Sequence, residues 1–354
     1  MNMTEILKEV GRGKRGSRDL NYEESLHVAS MIMNRQASDV QIGAFFMAER
    51  MKMENVDELQ AFVDVCRQLS RRTPLRRGGL DCAGPYDGRL KSFIAGFATS
   101  FVLAAAGVPV TLHGSEPLPP KWGVTLPVLL REMGVDTDQL TRDQALHAAG
   151  ETGLLFVAAE QWCPPLGDLR VLREEIGVRT VLNTAEKLMN YSQAPYLVYG
   201  VFHNTFFERM SKLLLRLDYE RAFIVQGPEG SEDLFIDRPT RTYRVENGEA
   251  QLEIIDPEAY FLDMSVPEMD WTAAEQIRVT EQVLTGTADR AFIHQVLLNS
   301  AYRLYLAGRA DSIEQGVYDA KALLESGQAR QLYVQWGSLM RGEQPNMLPT
   351  GSIH

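Results

Sequence analysis

Short apolar runs alternate with longer amphipathic segments through most of the chain. Residues 108–114, 154–158 and 222–226 are rich in branched and aromatic side chains and predict strands. Segments 93–106, 128–133, 166–176 and 205–217 predict the helices beside them. Strands and helices in this order are typical of a mainly parallel sheet covered by helices. The sequence therefore predicts a larger α/β domain with such a sheet at its centre.

Weaker signals extend this pattern. Residues 178–182 follow a glycine and predict a short extended piece, and residues 232–262 predict a β excursion. Asn247-Gly248 inside the excursion is the turn sequence that two-residue hairpins favour. Two further helices are expected at residues 289–306 and 312–324.

The first seventy residues have a different character. Three segments each begin with a capping box, in which a polar cap is followed three residues later by Glu or Gln: Asn21 with Glu24, Ser38 with Gln41, and Asn55 with Glu58. Three short helices with short connections predict a small helical bundle over residues 1–70. We expect helices near residues 163–195 to join this bundle, an α/β domain over residues 75–340, and a loose tail at 341–354.

Ligands of parallel α/β sheets bind at the carboxyl ends of the strands. This rule brings together three loops, at residues 113–115, 160–165 and 227–233. The stretch DCAGPYDG, residues 81–88, is a further candidate, because its glycines and aspartates precede a predicted helix as in phosphate-binding loops. Pro85 removes one backbone N–H from that loop and Tyr86 adds bulk.

The net charge of −11 is unevenly distributed, because residues 1–100 carry 15 Lys and Arg against 13 Asp and Glu. Basic residues concentrate at the N-terminus and on both sides of the DCAGPYDG stretch: Arg12, Lys14, Arg15, Arg18, Arg71, Arg72, Arg76, Arg77, Arg89 and Lys91. They form either a phosphate-binding face, for a small molecule or a nucleic acid, or a solvated linker. The acidic total and the lack of interleaved aromatic residues oppose strong nucleic-acid binding.

The remaining composition points to an ordinary intracellular protein. No run of about 18 apolar residues predicts a membrane span, and no signal peptide precedes the first helix. The three cysteines, Cys66, Cys82 and Cys163, lack metal-ligand spacing and predict reduced thiols. We therefore predict a cytoplasmic protein without a membrane partner.

The order of several segments resembles the anthranilate phosphoribosyltransferase (TrpD-like) family, which has the nucleoside phosphorylase fold. The resemblance is carried by residues 38–50, 104–110, 113–114, 172–180, 221–227 and 304–311. It covers roughly residues 5–330. The stretches 11–14, 18–20, 162–165 and 177–179 are similar to the divergent YbiB-type branch, which has been associated with nucleic-acid binding. The resemblance implies a small helical domain on a larger α/β domain, and a homodimer through the helical domain.

The resemblance also implies a phosphoribosyl pyrophosphate site, which this sequence matches only in part. The family's Gly-Thr-Gly-Gly-Asp loop corresponds to residues 82–88, and its Lys-His-Gly-Asn motif to residues 112–115. The hydroxyl-rich Asn-Ile-Ser-Thr element corresponds to residues 94–97, which have no hydroxyl. The candidates that remain for phosphate or ligand binding are Gly84, Asp87, Gly88, Lys91, His113, Gly114, Ser115 and Lys121.

Two further parts of the family site have counterparts. Cys163 takes the place of a family histidine, and Arg173 matches the arginine that faces the anthranilate carboxylate. For Arg173 the alternative is a surface salt bridge with Glu174 or Glu175. Glu232 and Asp233 align with the acidic pair that holds Mg²⁺, for which carboxylate oxygens are suitable ligands; an acidic surface loop is the alternative.

Three functions remain open from the sequence. The first is a family member with a degenerate phosphoribosyl pyrophosphate loop that binds nucleic acid or another phosphorylated ligand, outside the standard tryptophan pathway. The second is an active Mg²⁺-dependent phosphoribosyl or other glycosyl transferase with an aromatic acceptor such as anthranilate. The third is a dimeric scaffold without a ligand.

Overall fold

The computed structural model describes residues 1–13, 15–75 and 79–343. A small helical unit at the N-terminus packs on a larger unit built around a seven-stranded sheet, as predicted. Lys14, Arg76 and Arg77 of the predicted basic set, and all of the predicted tail except residues 341–343, lie outside the described residues. The bounds predicted for the two domains stay predictions.

Sixteen α-helices lie in the described residues. They are α1 Met3–Val10, α2 Tyr22–Met33, α3 Asp39–Lys52, α4 Val56–Leu69, α5 Ala95–Ala105, α6 Leu126–Glu132, α7 Arg142–Thr152, α8 Ala159–Trp162, α9 Pro164–Asp168, α10 Arg170–Ile176, α11 Val181–Ala185, α12 Phe207–Leu214, α13 Ala273–Leu284, α14 Arg290–Leu306, α15 Ile313–Glu325 and α16 Gln328–Met340. Single 3₁₀ turns add Glu186–Leu188, Asn204–Phe206, Pro228–Gly230 and Pro257–Tyr260.

The sheet is parallel over five strands and antiparallel over two. Its strands are β1 Leu80–Ala83, β2 Val110–Gly114, β3 Leu154–Ala158, β4 Tyr196–Gly200, β5 Arg221–Val225, β6 Thr240–Glu246 and β7 Glu249–Ile255. They are ordered β3-β2-β1-β4-β5-β6-β7, and β6 and β7 form the predicted hairpin. Asn247 and Gly248 both have positive φ angles, of 52° and 81°, as the hairpin turn requires.

The helical unit follows from its capping boxes. The side chains of Asn21, Ser38 and Asn55 each accept a hydrogen bond from the third helical residue, which reaches back in return. A fourth capping box at Asn2 starts α1, which the sequence analysis did not assign as a helix. Helices α10 and α11 pack on α3 and α4, so the segment expected to join the bundle does contact it.

Three local predictions were wrong or incomplete. Residues 178–182 do not form an extended piece, because α11 begins at Val181 and the Asn183 side chain accepts a hydrogen bond from the Thr180 N–H at 2.9 Å. Two central strands, β1 and β4, were missed; β1 is only four residues long and contains a buried aspartate, Asp81.

Within the described residues, every helix is too short or too polar to cross a bilayer.

Candidate functional site

Four loops meet at the carboxyl ends of the central strands. They follow β1, β2, β4 and β5, which are neighbours in the sheet, so residues 84–92, 115–123, 201–203 and 226–233 lie close together. This is the edge at which parallel α/β sheets bind ligands. The predicted loop at residues 160–165 follows β3, at the far side of β2, and is folded into α8 and α9.

Asp87 is held by two cations of the chain itself. Arg179 donates to its Oδ2 from Nε at 3.0 Å and from Nη2 at 2.5 Å, and Lys121 Nζ lies 3.3 Å from its Oδ1. Asp87 is buried. Gly88 turns the loop at φ +76°, where an added side chain would collide with the backbone of Gly123. Both oxygens of Asp87, and with them Lys121, are therefore engaged inside the protein.

Asp233, one of the two acids predicted to hold Mg²⁺, is also engaged. Arg89 Nη2 donates to Asp233 Oδ2 at 2.5 Å, and Arg303 Nη2 donates to Oδ1 at 2.9 Å. The backbone N–H of Gly96 adds a third bond to Asp233, at 3.2 Å. Burial alone would raise the pKa of Asp233, but the two guanidinium groups outweigh it and lower the pKa. Arg89, Asp233 and Arg303 form the buried triad of this edge.

These residues do not fit a magnesium ion. A cation at Asp233 would have to displace two buried guanidinium groups, and these charges already neutralise the carboxylate. The carboxylate of Glu232 is 3.9 Å or more from the guanidinium groups of Arg89 and Arg303, and its Oε2 has no hydrogen-bond partner. Among the residues that the structure describes, no three His, Cys, Asp or Glu side chains are grouped to hold a metal.

Little space remains where a phosphorylated sugar would lie. The cavity between Gly84, Gly96, His113 and Glu232 has a volume of about 40 Å³, whereas ligand pockets usually hold ~300 Å³ or more. Tyr86 fills the space: its hydroxyl lies 2.7 Å from His113 Nδ1 and donates to the Glu186 carbonyl at 3.1 Å. His113 is thereby buried behind Tyr86, with Nε2 3.3 Å from Asp81.

The two candidates on the acceptor side are buried as well. Both Nη atoms of Arg173 donate to the carboxylate of Glu186, at 2.7 and 2.8 Å, and not to Glu174 or Glu175. A bidentate carboxylate is the partner that a planar guanidinium recognises best. Glu186 therefore already binds the guanidinium of Arg173, which was predicted to face an aromatic acid. Cys163 is a core side chain, and burial raises the pKa of its thiol to about 12.

The remaining candidates lie at the edge of this region. Gly114 ends β2, and Ser115 Oγ donates to the neighbouring Glu116 carbonyl at 2.9 Å. Lys91 is exposed, and its backbone N–H donates to Glu229. The sequence analysis did not single out Glu229, which holds the loop after β1 through its carboxylate.

An open cleft lies next to the closed edge, between α3 and the loops after β1 and β4. Its volume is about 340 Å³. Four cationic side chains line it, accompanied by aromatic rings and by three carboxylates: Arg50, Arg179, Lys187, Arg209, Tyr199, Phe202, Phe206, Glu54, Asp87 and Glu229. The sequence did not reveal these cations as a group, because they come from four separate elements.

Lys187 is the most unusual of these cations. Its Nζ donates to the Gly200 carbonyl at 2.5 Å and lies 4.0 Å from the centre of the Tyr199 ring. Burial lowers the pKa of Lys187 to about 8. Only one feature of the sequence draws attention to this position: the turn at 182–188 lacks the glycine and proline found in the family that the chain resembles.

Among the described residues of the predicted basic set, the cations do not form one unpaired face. Arg12 pairs with Glu9, and Arg18 pairs with both Glu9 and Glu24 at 3.0 Å or less. Arg72 is half-buried and donates to the Asn190 carbonyl at 3.0 Å. Arg15 and Arg71 are exposed.

The fold and the site define a class of protein: a helical bundle joined to an α/β unit, with a ligand edge between them. Comparison with known proteins makes this specific. The family description "Glycosyl transferase family, a/b domain" matches residues 89–330, and "Glycosyl transferase family, helical bundle domain" matches residues 4–70. The chain therefore belongs to the glycosyl transferase family whose members include the anthranilate phosphoribosyltransferases. The YbiB-type branch stays a prediction.

Individual proteins agree with this assignment. The chain is 32% identical to an anthranilate phosphoribosyltransferase of Pelotomaculum thermopropionicum, covering 95% of this chain and 97% of that one. The crystal structure of anthranilate phosphoribosyltransferase (TrpD) from Thermus thermophilus is 26% identical, with a TM-score of 0.82 over 95% of this chain and 99% of that one. The Saccharomyces cerevisiae enzyme "in complex with PRPP and Mg" shares the fold, at 16% identity, a TM-score of 0.80, and coverage of 96% and 98%.

Proposed function

We propose that this member of the family does not transfer a phosphoribosyl group to anthranilate, and that it binds an anionic, phosphorylated ligand in the open cleft. The observation that carries the proposal is the buried triad, in which Arg89 and Arg303 take both oxygens of Asp233. Magnesium bound by Asp233 would have to break these bonds. The degenerate loop after β1 is then a consequence of a changed function.

The acceptor side supports the same proposal. An aromatic carboxylate would have to displace Glu186 from Arg173, and the displaced carboxylate would remain buried. Leaving a buried charge without its partner costs about 3–5 kcal/mol, which is comparable to the whole binding energy of a weak ligand.

The cleft supports the second half of the proposal. Arg209 Nη1 is a buried donor without a hydrogen-bond partner, 3.8 Å from Glu54, so it has bonding capacity left for an anion. Phe202 and Phe206 supply rings on which a base or another flat group can stack. A phosphate joined to a flat group matches both features.

Calorimetric titration tests the first half. Phosphoribosyl pyrophosphate with Mg²⁺ at near-physiological salt is expected to give no heat at millimolar concentration. Micromolar binding that is lost in Asp233→Ala but kept in Glu268→Ala, an exposed control, would contradict the proposal.

The second half is tested with nucleotides and oligonucleotides. Binding of a nucleoside monophosphate or a short oligonucleotide is expected to weaken in Arg209→Ala and Lys187→Ala, and to persist in Lys8→Ala, which changes an exposed cation of α1. If binding instead follows Arg15 and Arg71, with a steep salt dependence, the ligand is a nucleic acid held at the surface.

An active transferase is the second candidate, because relatives over nearly the whole chain are anthranilate phosphoribosyltransferases and one related structure is in complex with PRPP and Mg. In that reading Glu232, whose Oε2 has no hydrogen-bond partner, and Asp233 would hold Mg²⁺ after the triad opens. Formation of phosphoribosyl anthranilate by the purified protein would establish it.

We also propose a homodimer through the helical unit, in the cytoplasm. Val40, Met47 and Met51 are exposed by 83%, 37% and 78% and lie on one face of α3. Exposed apolar residues at this spacing favour a protein partner. Met47→Glu combined with Met51→Glu is expected to give a monomer in analytical ultracentrifugation; an unchanged sedimentation coefficient would place the interface elsewhere.

A further inference from the structure

Two largely buried lysines of the described chain have very different partners. Nζ of Lys52 lies within 3.2 Å of three carboxylates. Lys187 is exposed by only 7%, and no carboxylate of the described residues forms a salt bridge with it. Its Nζ donates to the Gly200 carbonyl at 2.5 Å and lies 4.0 Å from the centre of the Tyr199 ring. A carbonyl and a ring compensate a buried ammonium less well than a carboxylate does.

The surroundings of Lys187 therefore favour its neutral amine. Burial lowers the pKa of Lys187 to about 8. Four charged side chains also act on it, two cations that lower the pKa and two carboxylates that raise it: Arg179, Lys121, Glu232 and Asp87. At neutral pH about one tenth of such an amine is uncharged, against less than about one part in a thousand for an ordinary lysine. The pKa of Lys52, in contrast, is raised, because its carboxylates outweigh burial.

The turn that carries Lys187 places it at the open cleft. This turn is the 3₁₀ segment Glu186–Leu188, which follows α11. Its first residue, Glu186, pairs with the buried Arg173, whereas Lys187 lines the cleft of about 340 Å³. One side chain of the turn thus belongs to the closed region, and the next belongs to the wall of the open one. A compound bound in the cleft would lie against Lys187.

A neutral lysine amine in a cavity is a nucleophile for carbonyl compounds, with which it forms an imine. The Nζ lone pair adds to the carbonyl carbon of an aldehyde or a ketone. The carbonyl oxygen then leaves as water together with the two protons of the amine, and a C=N bond remains. No oxidant or reductant is needed for this step. The chemistry of Lys187 thus selects a ligand with a reactive carbonyl group.

The other walls of the cleft restrict that ligand further. Nη1 of Arg209 is a buried donor without a hydrogen-bond partner, which suits a phosphate oxygen. Phe202 and Phe206 supply ring faces for a flat group. We propose that Lys187 is a nucleophile that forms an imine with a phosphorylated aldehyde bound in this cleft. The inference rests on the proposed function, because it adds a carbonyl group to the anionic ligand assigned to the cleft.

Trapping with pyridoxal 5′-phosphate tests the proposal. This probe is a flat aldehyde with a phosphate group, and borohydride reduces its imine to a stable secondary amine that peptide mapping locates. In the full chain at neutral pH, Lys187 is expected to be modified about tenfold or more faster than the exposed Lys8, because more of its amine is neutral. Lys187→Met is expected to lose this modification, and the matched control Lys8→Met is expected to keep it.

Two further arms separate the amine from the phosphate site. Pyridoxal, which lacks the phosphate, is expected to modify Lys187 more slowly than pyridoxal 5′-phosphate does. Arg209→Ala is expected to slow the reaction of pyridoxal 5′-phosphate and to leave that of pyridoxal unchanged. If Lys187→Met does not fold, Lys187→Arg serves instead, because a guanidinium keeps the positive charge and forms no imine.

Two outcomes overturn the proposal: modification of Lys187 no faster than that of Lys8 in the wild type, or equally fast total modification in a folded Lys187 variant. The proposed function fails separately. If pyridoxal 5′-phosphate binds reversibly and depends on Arg209, but no imine is trapped at Lys187, only the nucleophile is refuted. If Lys187 is trapped equally fast by pyridoxal and in Arg209→Ala, the nucleophile stands and the phosphate site of the cleft falls.

Discussion

The closed edge of the sheet and the open cleft share Pro85 and Tyr86 as a common wall, yet one encloses about 40 Å³ and the other about 340 Å³. At the closed edge the charges are matched among themselves, as in the buried triad. In the cleft, Arg179 and Lys187 are also bonded within the protein, but the buried Nη1 of Arg209 has no hydrogen-bond partner. The two neighbouring regions therefore differ in how completely their charged groups are paired within the protein.

The largest effect is expected from breaking the buried triad. Asp233→Ala leaves Arg89 and Arg303, both nearly inaccessible, without their shared carboxylate. The free energy of unfolding is expected to fall by about 3–5 kcal/mol, measured by urea denaturation against Glu268→Ala. A loss below about 1 kcal/mol would mean that water reaches the two arginines at the closed edge. The closed edge would then not differ from the cleft in how its charges are paired.

The Arg173–Glu186 pair offers the next largest effect. Arg173→Met and Glu186→Leu are each expected to destabilise by about 3 kcal/mol, because each leaves one buried charge. The double variant is expected to lose less than the sum, since no uncompensated charge remains. Strictly additive losses in denaturant unfolding would argue that the two side chains do not pair in solution.

The helical wall of the cleft holds a charge cluster that is less well matched. Burial, reinforced by Glu58, raises the pKa of Glu49 to about 9, although Lys52 Nζ lies 3.2 Å from its Oε2. Because the folded state holds this proton more tightly than the unfolded state, the stabilisation is complete below pH 4.5 and is lost as the pH rises towards 9.

This pH dependence can be separated from that of other groups. Glu49→Gln is expected to flatten the decline of the unfolding free energy between pH 5 and about 9, as measured by thermal and urea unfolding. Glu23→Gln, at an exposed acid of α2, serves as control. Parallel curves for Glu49→Gln and the wild type would show that Glu49 is ionised throughout.

The smallest effect on stability is expected inside the cleft. Arg209→Ala breaks only a 3.8 Å contact with Glu54 and an approach to the Phe206 ring at 5.3 Å. The free energy of unfolding is expected to change by less than about 1 kcal/mol, while ligand binding weakens. A larger loss of stability would show that Arg209 contributes to the folded structure. The charges of the cleft would then stabilise the protein as those of the closed edge do.

The sequence predicted those parts of the fold that depend on neighbours along the chain. Capping boxes located α2, α3 and α4, and Asn247-Gly248 located the hairpin, because these signals act over a few residues. Strand β4 was missed although four of its residues, Tyr196 to Tyr199, are apolar or aromatic, since a short apolar run does not indicate its partners.

The sequence predicted where the site lies in the fold, but not which bonds its side chains make. The loops at residues 113–115 and 227–233 were expected to meet, and they do, whereas the loop at 160–165, expected with them, follows β3 at the far side of β2. The partners of their charges were not predictable: Arg89 is 144 residues from Asp233, and Arg303 is 70 residues from it. These groups come together only in the folded chain. A comparison of sequence motifs therefore detects which residues of the family's motifs are absent, but it does not detect the internal bonds that form at this edge.

The bond between Glu186 and Arg173 also limits how this chain can change. A variant that regained room for an aromatic acid by exchanging Glu186 alone would carry a buried, uncompensated guanidinium until such an acid was bound. Its folding would then depend on the concentration of that compound in the cell. A change at Glu186 that makes room for such an acid therefore needs a compensating change at Arg173, or the protein is unstable whenever the acid is absent.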